Sequence, residues 1–273
     1  MPSFQETAAL LAHSLRMRRD LLGPRRTGVS RESLERLGKS DLRSKQSEPS
    51  PKETAPRQIS NCKSEESHDA RLAALREAVS VCRKCAHLAD FRTQTVFGVG
   101  NPHAELMFVG EAPGADEDKQ GEPFVGRAGE LLTKIINAMG LSRNDVYIAN
   151  VLKCRPDMPK DAPGNRPPTA EEMQRCLPYL REQIAIIQPR ILVALGKTAM
   201  TGLTGAEEAM GAMRGRWFSF ENIPLLATYH PSYLLRNGSN AEKRKVWEDM
   251  MLLMEKLDMP ISEKQRGFFL AGN

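Results

Sequence analysis

From residue 69 onward, short apolar runs alternate with amphipathic stretches. Apolar runs of four to eight residues ended by glycine or polar residues are typical of buried strands, whereas apolar positions three and four apart predict helices. Strands are predicted at 106–110, 145–151, 190–195 and 223–229. Helices are predicted at 69–80, 127–139, 169–187, from 196 onward and at 240–257. Strands separated by helices favour a three-layer α/β/α fold, with a mostly parallel central sheet of about four strands.

The first 67 residues differ in composition from the rest. Beyond residue 22 they are rich in Ser, Pro, Lys, Glu and Arg, and so few large apolar residues cannot offset the entropy of ordering. At 5–22, leucines at mixed helical spacing lie beside arginines. Two interpretations of that stretch stay open, a short amphipathic or transit-like helix and a fraying solvated one. We expect a disordered basic tail at 1–67, a folded domain at 68–260 and a C-terminal tail at 261–273.

The net charge of +5 is unevenly placed. Residues 1–67 carry 13 Lys/Arg against 9 Asp/Glu, and the remainder carries 26 against 25. Binding of nucleic acid by the domain would therefore need a local basic patch. Because the chain has no run of 18 apolar residues and no secretory signal pattern, we expect no membrane span and a cytoplasmic, nucleoid-associated protein.

Four of the five cysteines form a candidate metal site. Cys82 and Cys85 have a two-residue gap, which lets both thiolates face one metal centre, and Cys154 and Cys176 lie far downstream. Four thiolates suit a tetrahedral zinc or a 4Fe-4S cluster, and the spacing alone favours zinc. The fifth, Cys62, lies in the tail and is expected to be a free thiol.

Chemistry-bearing residues follow three of the predicted strands. Strand 106–110 runs into Gly110-Glu111-Ala112-Pro113-Gly114, with Pro123-Phe124-Val125-Gly126 shortly after. Asn150 lies at the end of the second strand, and His230 follows the fourth. Open α/β sheets bind ligands just past the carboxyl ends of their strands. A carboxylate, backbone amides and an aromatic ring are therefore expected to converge on a pocket there.

The block at 110–126 resembles the signature of family 4 uracil-DNA glycosylases, the iron–sulfur branch of that superfamily. Four more segments match in order, and the resemblance covers about residues 70–258. They are Cys82-Arg83-Lys84-Cys85, Asn150-Val151-Leu152-Lys153-Cys154-Arg155-Pro156, Cys176-Leu177-Pro178-Tyr179 and His230-Pro231-Ser232-Tyr233-Leu234-Leu235-Arg236.

The resemblance implies a monofunctional uracil-DNA glycosylase, a hydrolase that starts base-excision repair. Such an enzyme flips uracil out of single- or double-stranded DNA and hydrolyses its N-glycosidic bond. The resemblance also reverses the preference for zinc, because the matching family positions hold a 4Fe-4S cluster; here these are Cys82, Cys85, Cys154 and Cys176. We expect a monomer, with the basic tail a candidate for contacting DNA or a repair partner.

By the same resemblance, the pocket residues divide the chemistry. Glu111 is expected to orient the attacking water and offset positive charge on the sugar, and the Ala112 amide to face a uracil carbonyl. Asn150 is expected to read N3–H and O4, the edge on which uracil differs from cytosine. Phe124 would stack on the base, and His230 would donate to O2. The alternatives are an Asn150 bonded to neighbouring backbone, a Phe124 that belongs to the core and a structural His230.

Further matching positions concern the pocket wall and DNA. Glu117 matches a pocket position, with a solvated loop acid as the alternative. Leu234, Leu235 and Arg236 fit an apolar wedge beside a cation in the minor groove, or the first turn of a packed helix. Candidates for phosphate contacts lie near the loop ends: Arg127, Lys153, Arg155, Arg166, Lys197 and Arg236.

Two competing functions remain. One is a relative that traps uracil-DNA covalently through a histidine in an inserted basic loop, but the inserted stretch 157–166 contains no histidine. The other is a non-catalytic, polymerase-associated nucleic-acid-binding module. The joint presence of Glu111, Asn150 and His230 favours catalysis, because a scaffold would not need all three.

Overall fold

A six-stranded mixed sheet forms the centre of the fold. The computed structural model describes residues 67–159 and 164–270; the expectations for the N-terminal tail and for Cys62 lie outside these residues. The strands lie in the order β1-β3-β2-β4-β6-β5. Their bounds are β1 Val99–Gly100, β2 Leu106–Gly110, β3 Tyr147–Asn150, β4 Ile191–Leu195, β5 Trp217–Phe220 and β6 Ile223–Thr228.

The four central strands, β3, β2, β4 and β6, are parallel. They correspond to the four predicted strands, and their residues are almost all buried, as expected for a sheet covered on both faces. The short edge strands β1 and β5 pair antiparallel and were not predicted. The sheet is therefore wider than expected, while its parallel centre is confirmed.

Helices cover both faces of the sheet and confirm the three-layer architecture. Along β2, Met107 and Val109 pack into one apolar core, and Leu106 and Phe108 pack into a second core on the opposite face. This alternation is the period of two that a strand imposes on its side chains. The helices are α1 His68–Ser80, α2 Ala86–Phe91, α3 Ala115–Gln120, α4 Arg127–Ala138, α5 Ala170–Ile187, α6 Lys197–Thr204, α7 Met210–Met213, α8 Pro231–Arg236, α9 Asn240–Lys256 and α10 Glu263–Arg266.

The segment expected as a C-terminal tail is tied to the domain as far as its described residues go. The Trp247 indole donates to the main-chain oxygen of Gln265 at 2.6 Å, and the Gln265 amide donates to the oxygen of Ala138 at 2.8 Å. Phe268 packs against the apolar core beside Trp247. Among the described residues, no helix has the length and apolar character needed to cross a membrane.

The register of the parallel strands brings their carboxyl ends to one edge. Gly110 of β2 lies opposite Asn150 of β3, and Leu195 of β4 lies opposite Thr228 of β6. The residues that follow these strands must therefore share that edge. It is the edge at which the sequence predicts a site.

Candidate active site

A cavity of 510 Å³ opens at the carboxyl edge of the sheet. Its walls come from the ends of all four parallel strands and from the loops that follow them. The structure brings together there most of the residues predicted to act on a ligand or DNA: Glu111, Ala112, Glu117, Phe124, Asn150, His230 and Arg236. Leu234 and Leu235 do not line this cavity.

Asn150 lines the cavity and carries an unsatisfied acceptor. Its side chain is 2% exposed, and its Oδ1 is buried without a hydrogen-bond partner among the described residues. A buried polar atom left unpaired costs roughly 1–3 kcal/mol. The main-chain oxygen of the same residue accepts from the Lys153 ammonium at 2.9 Å, which fixes the backbone behind the side chain. An orphaned acceptor on a fixed backbone at a cavity wall is the arrangement expected of a group that meets a ligand donor.

His230 is held as a neutral ring with a defined tautomer. Its Nδ1 accepts from the backbone N–H of Ser232 at 3.1 Å and lies 2.8 Å from the Ser232 hydroxyl. Because Nδ1 is an acceptor, the neutral ring carries its proton on Nε2. Burial, and then the Arg236 cation, lower the pKa of His230 to about 4. The ring is thus a neutral N–H donor at physiological pH.

The surroundings of Glu111 disfavour the ionised form of its carboxyl group. Burial raises its pKa above the ordinary value of 4.5, and a hydrogen bond from Thr198 opposes that shift only in part. Thr198 lies in the first turn of α6, so two strand ends meet at this carboxyl group. A carboxylate with raised pKa in a cleft has the properties of a general base.

The wall that carries Phe124 is held by Glu117. One carboxylate oxygen of Glu117 accepts from Gly114 N–H at 3.1 Å, and the other accepts from the N–H groups of Val125 and Gly126, both at 3.2 Å. Glu117 therefore joins the first motif to the loop after Phe124. The Phe124 ring lies 5.5 Å from the His230 ring, centroid to centroid.

Gly110 leaves room for the two side chains that bound this wall. A Cβ at this position would lie 2.3 Å from Asn150 Oδ1 and 2.6 Å from the Phe124 ring. We expect Gly110→Ala to weaken ligand binding by roughly tenfold or more, because a shift of about an ångström in positioning groups is costly. Gly211→Ala is the control, since its Cβ would meet only the Tyr229 hydroxyl at 3.6 Å. Equal activity of both variants would show that the pocket tolerates displacement of these two side chains.

The two leucines expected to form an apolar wedge differ in exposure. Leu234 is only 5% exposed and packs inward, whereas Leu235 is 42% exposed. Both belong to α8, the helix that the sequence allowed as an alternative. Burial of Leu234 leaves Leu235 and Arg236 as the exposed residues of the expected wedge.

Lys153, one of the candidates for phosphate contacts, is buried in the structure and cannot make one. It is 1% exposed, and its ammonium donates to Asn150 O and, at 2.5 Å, to Gln183 Oε1. Burial lowers its pKa to about 8. Its place near a loop end suggested an exposed charge, but Gln183 of helix α5 supplies a partner inside the domain.

Arg166 is also engaged within the protein, with Glu172 and Asp157. Arg166 nevertheless lines the cavity. Arg127, Lys197 and Arg236 remain exposed, so they are the better candidates for phosphate contacts.

Four cysteines from three distant segments line one small cavity beside α5: Cys82, Cys85, Cys154 and Cys176. The backbone N–H of Lys153 donates to Cys176 Sγ at 3.2 Å, and the Arg92 guanidinium lies 2.9 Å from Cys154 Sγ. Four soft donors around one space, with N–H groups directed at the sulfurs, fit a thiolate-ligated cluster. The predicted convergence of the four cysteines is therefore seen among the described residues.

Comparison with known families agrees with this geometry. The family model "Uracil DNA glycosylase superfamily" matches residues 97–251, which include Glu111, Asn150 and His230. The chain belongs to the uracil-DNA glycosylase superfamily. The cavity therefore lies at the strand ends of a fold that this superfamily shares.

Curated relatives place the chain in the type-4 branch of the superfamily. It is 46% identical to a type-4 uracil-DNA glycosylase of Thermotoga maritima over 179 residues, 64% of this chain and 88% of that protein. A type-4 uracil-DNA glycosylase of Archaeoglobus fulgidus is 44% identical over 169 residues, covering 59% and 81%. A type-5 uracil-DNA glycosylase of Pyrobaculum aerophilum is less similar, at 35% over 186 residues, covering 56% and 79%.

The sequence did not reveal three supporting residues of this uracil-DNA glycosylase superfamily member. Thr198 contacts Glu111, Ser232 orients His230, and Arg143 contacts the loop that carries Phe124. Ser232 stands in the His-Pro-Ser motif and could have been found by its spacing from His230. Thr198 and Arg143 reach partners that are distant in sequence, and no local pattern marks them.

Proposed function

We propose that this protein is a monofunctional uracil-DNA glycosylase that removes uracil from DNA. The observation that carries the proposal is the buried, unpartnered Oδ1 of Asn150 on the cavity that Glu111 and His230 also line. An acceptor, a neutral N–H donor and a carboxyl group with raised pKa are together the groups that uracil excision requires. The type-4 relatives support the same activity.

Asn150 and Phe124 recognise the flipped base. Asn150 Oδ1 accepts from uracil N3–H, while its amide donates to O4. Cytosine presents an acceptor at N3 and a donor at position 4, so the same amide would face two mismatched groups. Phe124 stacks on the ring, a contact worth roughly 1–3 kcal/mol that does not depend on base identity. Discrimination therefore comes from Asn150 and affinity largely from Phe124.

His230 and the Ala112 amide stabilise the leaving base. As the glycosidic bond breaks, its electron pair passes to N1 of uracil and spreads to O2. His230 donates from Nε2 to O2, and a ring that stays neutral avoids the cost of burying a cation. The Ala112 N–H donates to a uracil carbonyl in the same way. Both donors interact most strongly after charge has developed.

Glu111 acts on the sugar side of the bond. Its carboxylate orients the attacking water, accepts a proton from it and offsets positive charge on the deoxyribose. The proton passes from water to Glu111, oxygen bonds to C1′ and uracil departs as the anion, so that charge and atoms balance. A carboxylate whose pKa is raised is a stronger proton acceptor than one free in water.

DNA is held around this pocket by exposed side chains. Leu235 fills the gap left by the flipped nucleotide, and Arg236, Arg127 and Lys197 contact phosphates. The basic N-terminal tail adds affinity that does not depend on sequence and that falls with salt.

The four clustered cysteines hold a 4Fe-4S cluster in this proposal. The observation that supports it is the donor set itself, four sulfurs around one space with N–H groups from Lys153 and Arg92 directed at them. The cluster supplies structural cross-linking and no chemistry on the substrate. It ties α1 and α2 to the segment that carries Asn150.

Base release from an oligonucleotide with one deoxyuridine tests the proposed activity. Single-stranded and paired substrates are each expected to yield free uracil and an alkali-labile abasic site, without strand cleavage by the enzyme. An oligonucleotide with thymidine at the same position is the control. Binding of the uracil substrate without base release would instead indicate a non-catalytic or covalent-trapping relative, and a stable protein–DNA adduct would identify the latter.

Asn150→Asp is expected to lower uracil release by roughly tenfold or more. An ionised carboxylate accepts from N3–H but cannot donate to O4, so one contact is lost and a repulsion replaces it. Asn150→Asp is also expected to release cytosine at a low rate. This rate is measured on an oligonucleotide with a single deoxycytidine opposite an abasic site. Uracil release at the wild-type rate would show that Asn150 does not read the base.

A further inference from the structure

The loop that carries Phe124 is held by two side chains of opposite charge. Glu117 accepts from the N–H groups of Val125 and Gly126. Arg143 donates to the carbonyl groups of the preceding two residues, to Pro123 O at 2.9 Å and to Phe124 O at 3.2 Å. Three consecutive peptide groups are therefore fixed by two side chains, and of the two only Glu117 belongs to the motif that marks the site.

Phe124 needs such support because of its backbone conformation. Its φ is +56°, in the left-handed region that a bulky aromatic residue rarely adopts. Backbone in this region is strained and persists only where the surroundings impose it. Without external contacts, the loop would relax toward an ordinary conformation and turn the ring away from its present position.

The first turn of α4 lies against the same carbonyl group. A Cβ at Gly129 would lie 1.8 Å from Phe124 O, so only a glycine lets the helix approach this closely. Arg143 also contacts Thr133 Oγ1 of α4 at 3.4 Å. The guanidinium thus joins the Phe124 loop to a helix that packs on the sheet. These contacts restrain the loop against that helix.

The Phe124 ring forms one wall of the cavity in which the base is proposed to bind. The ring lies over Gly110, next to Asn150, and 5.5 Å from the His230 ring. A base that stacks on Phe124 can meet both polar groups only if the ring keeps this position. A change in the loop backbone would therefore disturb base binding without touching Asn150 or His230.

We propose that Arg143 is a positioning residue that holds Phe124 in its strained conformation and thereby sets the affinity for the flipped base. This inference rests on the proposed uracil-DNA glycosylase function. Arg143 does not line the base cavity, and its side chain acts through two main-chain carbonyl groups. Its planar fork can serve two acceptors at once, which a lysine ammonium on a flexible stem does less well.

The test compares Arg143→Met and Arg143→Lys with wild type. Methionine keeps an apolar stem and removes all donors, whereas lysine keeps the charge. The inhibition constant of free uracil and the KM for a single-stranded uracil oligonucleotide are expected to rise about tenfold in Arg143→Met, the size expected from loss of one base–aromatic stack. Arg143→Lys is expected to lie between the two. Arg190→Met, which removes a surface arginine bonded to Glu105 and Asp258, is the control.

A double-mutant cycle separates positioning from a general loss of stability. Phe124→Ala should weaken uracil binding by itself, and Arg143→Met should add no further loss in that background, because the ring that it positions is gone. Thermal unfolding and iron content are measured for every variant. If Arg143→Met does not fold, the same cycle is run with Arg143→Lys.

These measurements distinguish failure of the positioning role from failure of the glycosylase function. Additive effects of the two substitutions, or an unchanged inhibition constant in Arg143→Met, would refute the positioning role while leaving the glycosylase function intact. A fall in kcat with no change in uracil binding would also refute it. A wild-type protein that releases no uracil in the same assay would refute the proposed function and, with it, the role of Arg143 in base binding.

Discussion

Glu111→Gln is expected to lower the single-turnover rate of uracil release by roughly 10²-fold or more. The amide keeps the size of the side chain and its hydrogen bond with Thr198, but it neither accepts a proton from water nor offsets charge on the sugar. Because that charge develops only in the transition state, affinity for uracil-containing DNA is expected to change little. The rate and the DNA affinity are measured on the same oligonucleotide.

The same substitution is expected to remove the acid limb of the pH–rate profile. Burial raises the pKa of Glu111 above 4.5, so the carboxylate that acts as base is lost as the pH falls through that raised value. His230, with a pKa of about 4, stays neutral through most of this range. The wild-type rate should therefore fall on the acid side with an apparent pKa above 4.5, and the residual rate of Glu111→Gln should not.

Glu111→Gln is expected to keep or slightly raise the stability of the folded protein at neutral pH, although it lowers the rate. A carboxyl group whose pKa is raised by folding costs stability at every pH above that pKa, because the folded state disfavours its charge. Gln at position 111 is therefore expected to keep the melting temperature or raise it slightly at neutral pH. Glu105→Gln, at the other end of the same strand, is the control and should leave the rate unchanged. An unaltered rate in Glu111→Gln would remove this residue from the chemistry.

The parallel centre of the fold could be predicted because burial on both faces produces continuous apolar runs. Leu106–Gly110 was predicted with its observed bounds, since glycine and a turn end the strand sharply. The edge strands could not be predicted in the same way. Val99–Gly100 has only two residues, and Trp217–Phe220 is half exposed, so neither carries a periodic signal. Their pairing depends on partners that are distant in sequence.

The position of the site was predictable, but much of its support was not. Strand ends identified Glu111, Asn150 and His230, because parallel strands must place their carboxyl ends at one edge. The direction in which a charged side chain points cannot be predicted from strand ends, because it depends on which acceptors lie nearby in space. Lys153 turns inward to Gln183, 30 residues further along the chain. Arg143 reaches carbonyl groups 19 and 20 residues before it, and nothing in the local sequence predicts either contact.

Cys154→Ser is expected to abolish the visible absorbance of bound iron and to lower the melting temperature by about 10 °C. A cross-link between segments about 70 residues apart restricts the unfolded chain by roughly 4 kcal/mol. For a domain of this size, each kcal/mol corresponds to about 2–4 °C. Cys62→Ser is the matched control, because Cys62 lies in the tail, outside the segments that match the iron–sulfur family. It should keep both its iron and its melting temperature.

Uracil release should also fall in Cys154→Ser, although none of the four clustered cysteines lines the base pocket. Cys154 follows Lys153, whose N–H donates to Cys176 and whose ammonium holds the main chain of Asn150. Release of the sulfur would loosen this segment and displace the Asn150 amide. The defect should therefore appear mainly in the KM and in the discrimination between uracil and cytosine, because positioning is lost while Glu111 and His230 remain. A variant without iron that kept its wild-type melting temperature and KM would show that the four cysteines do not support the pocket; zinc in place of iron in the wild type would correct the identity of the metal.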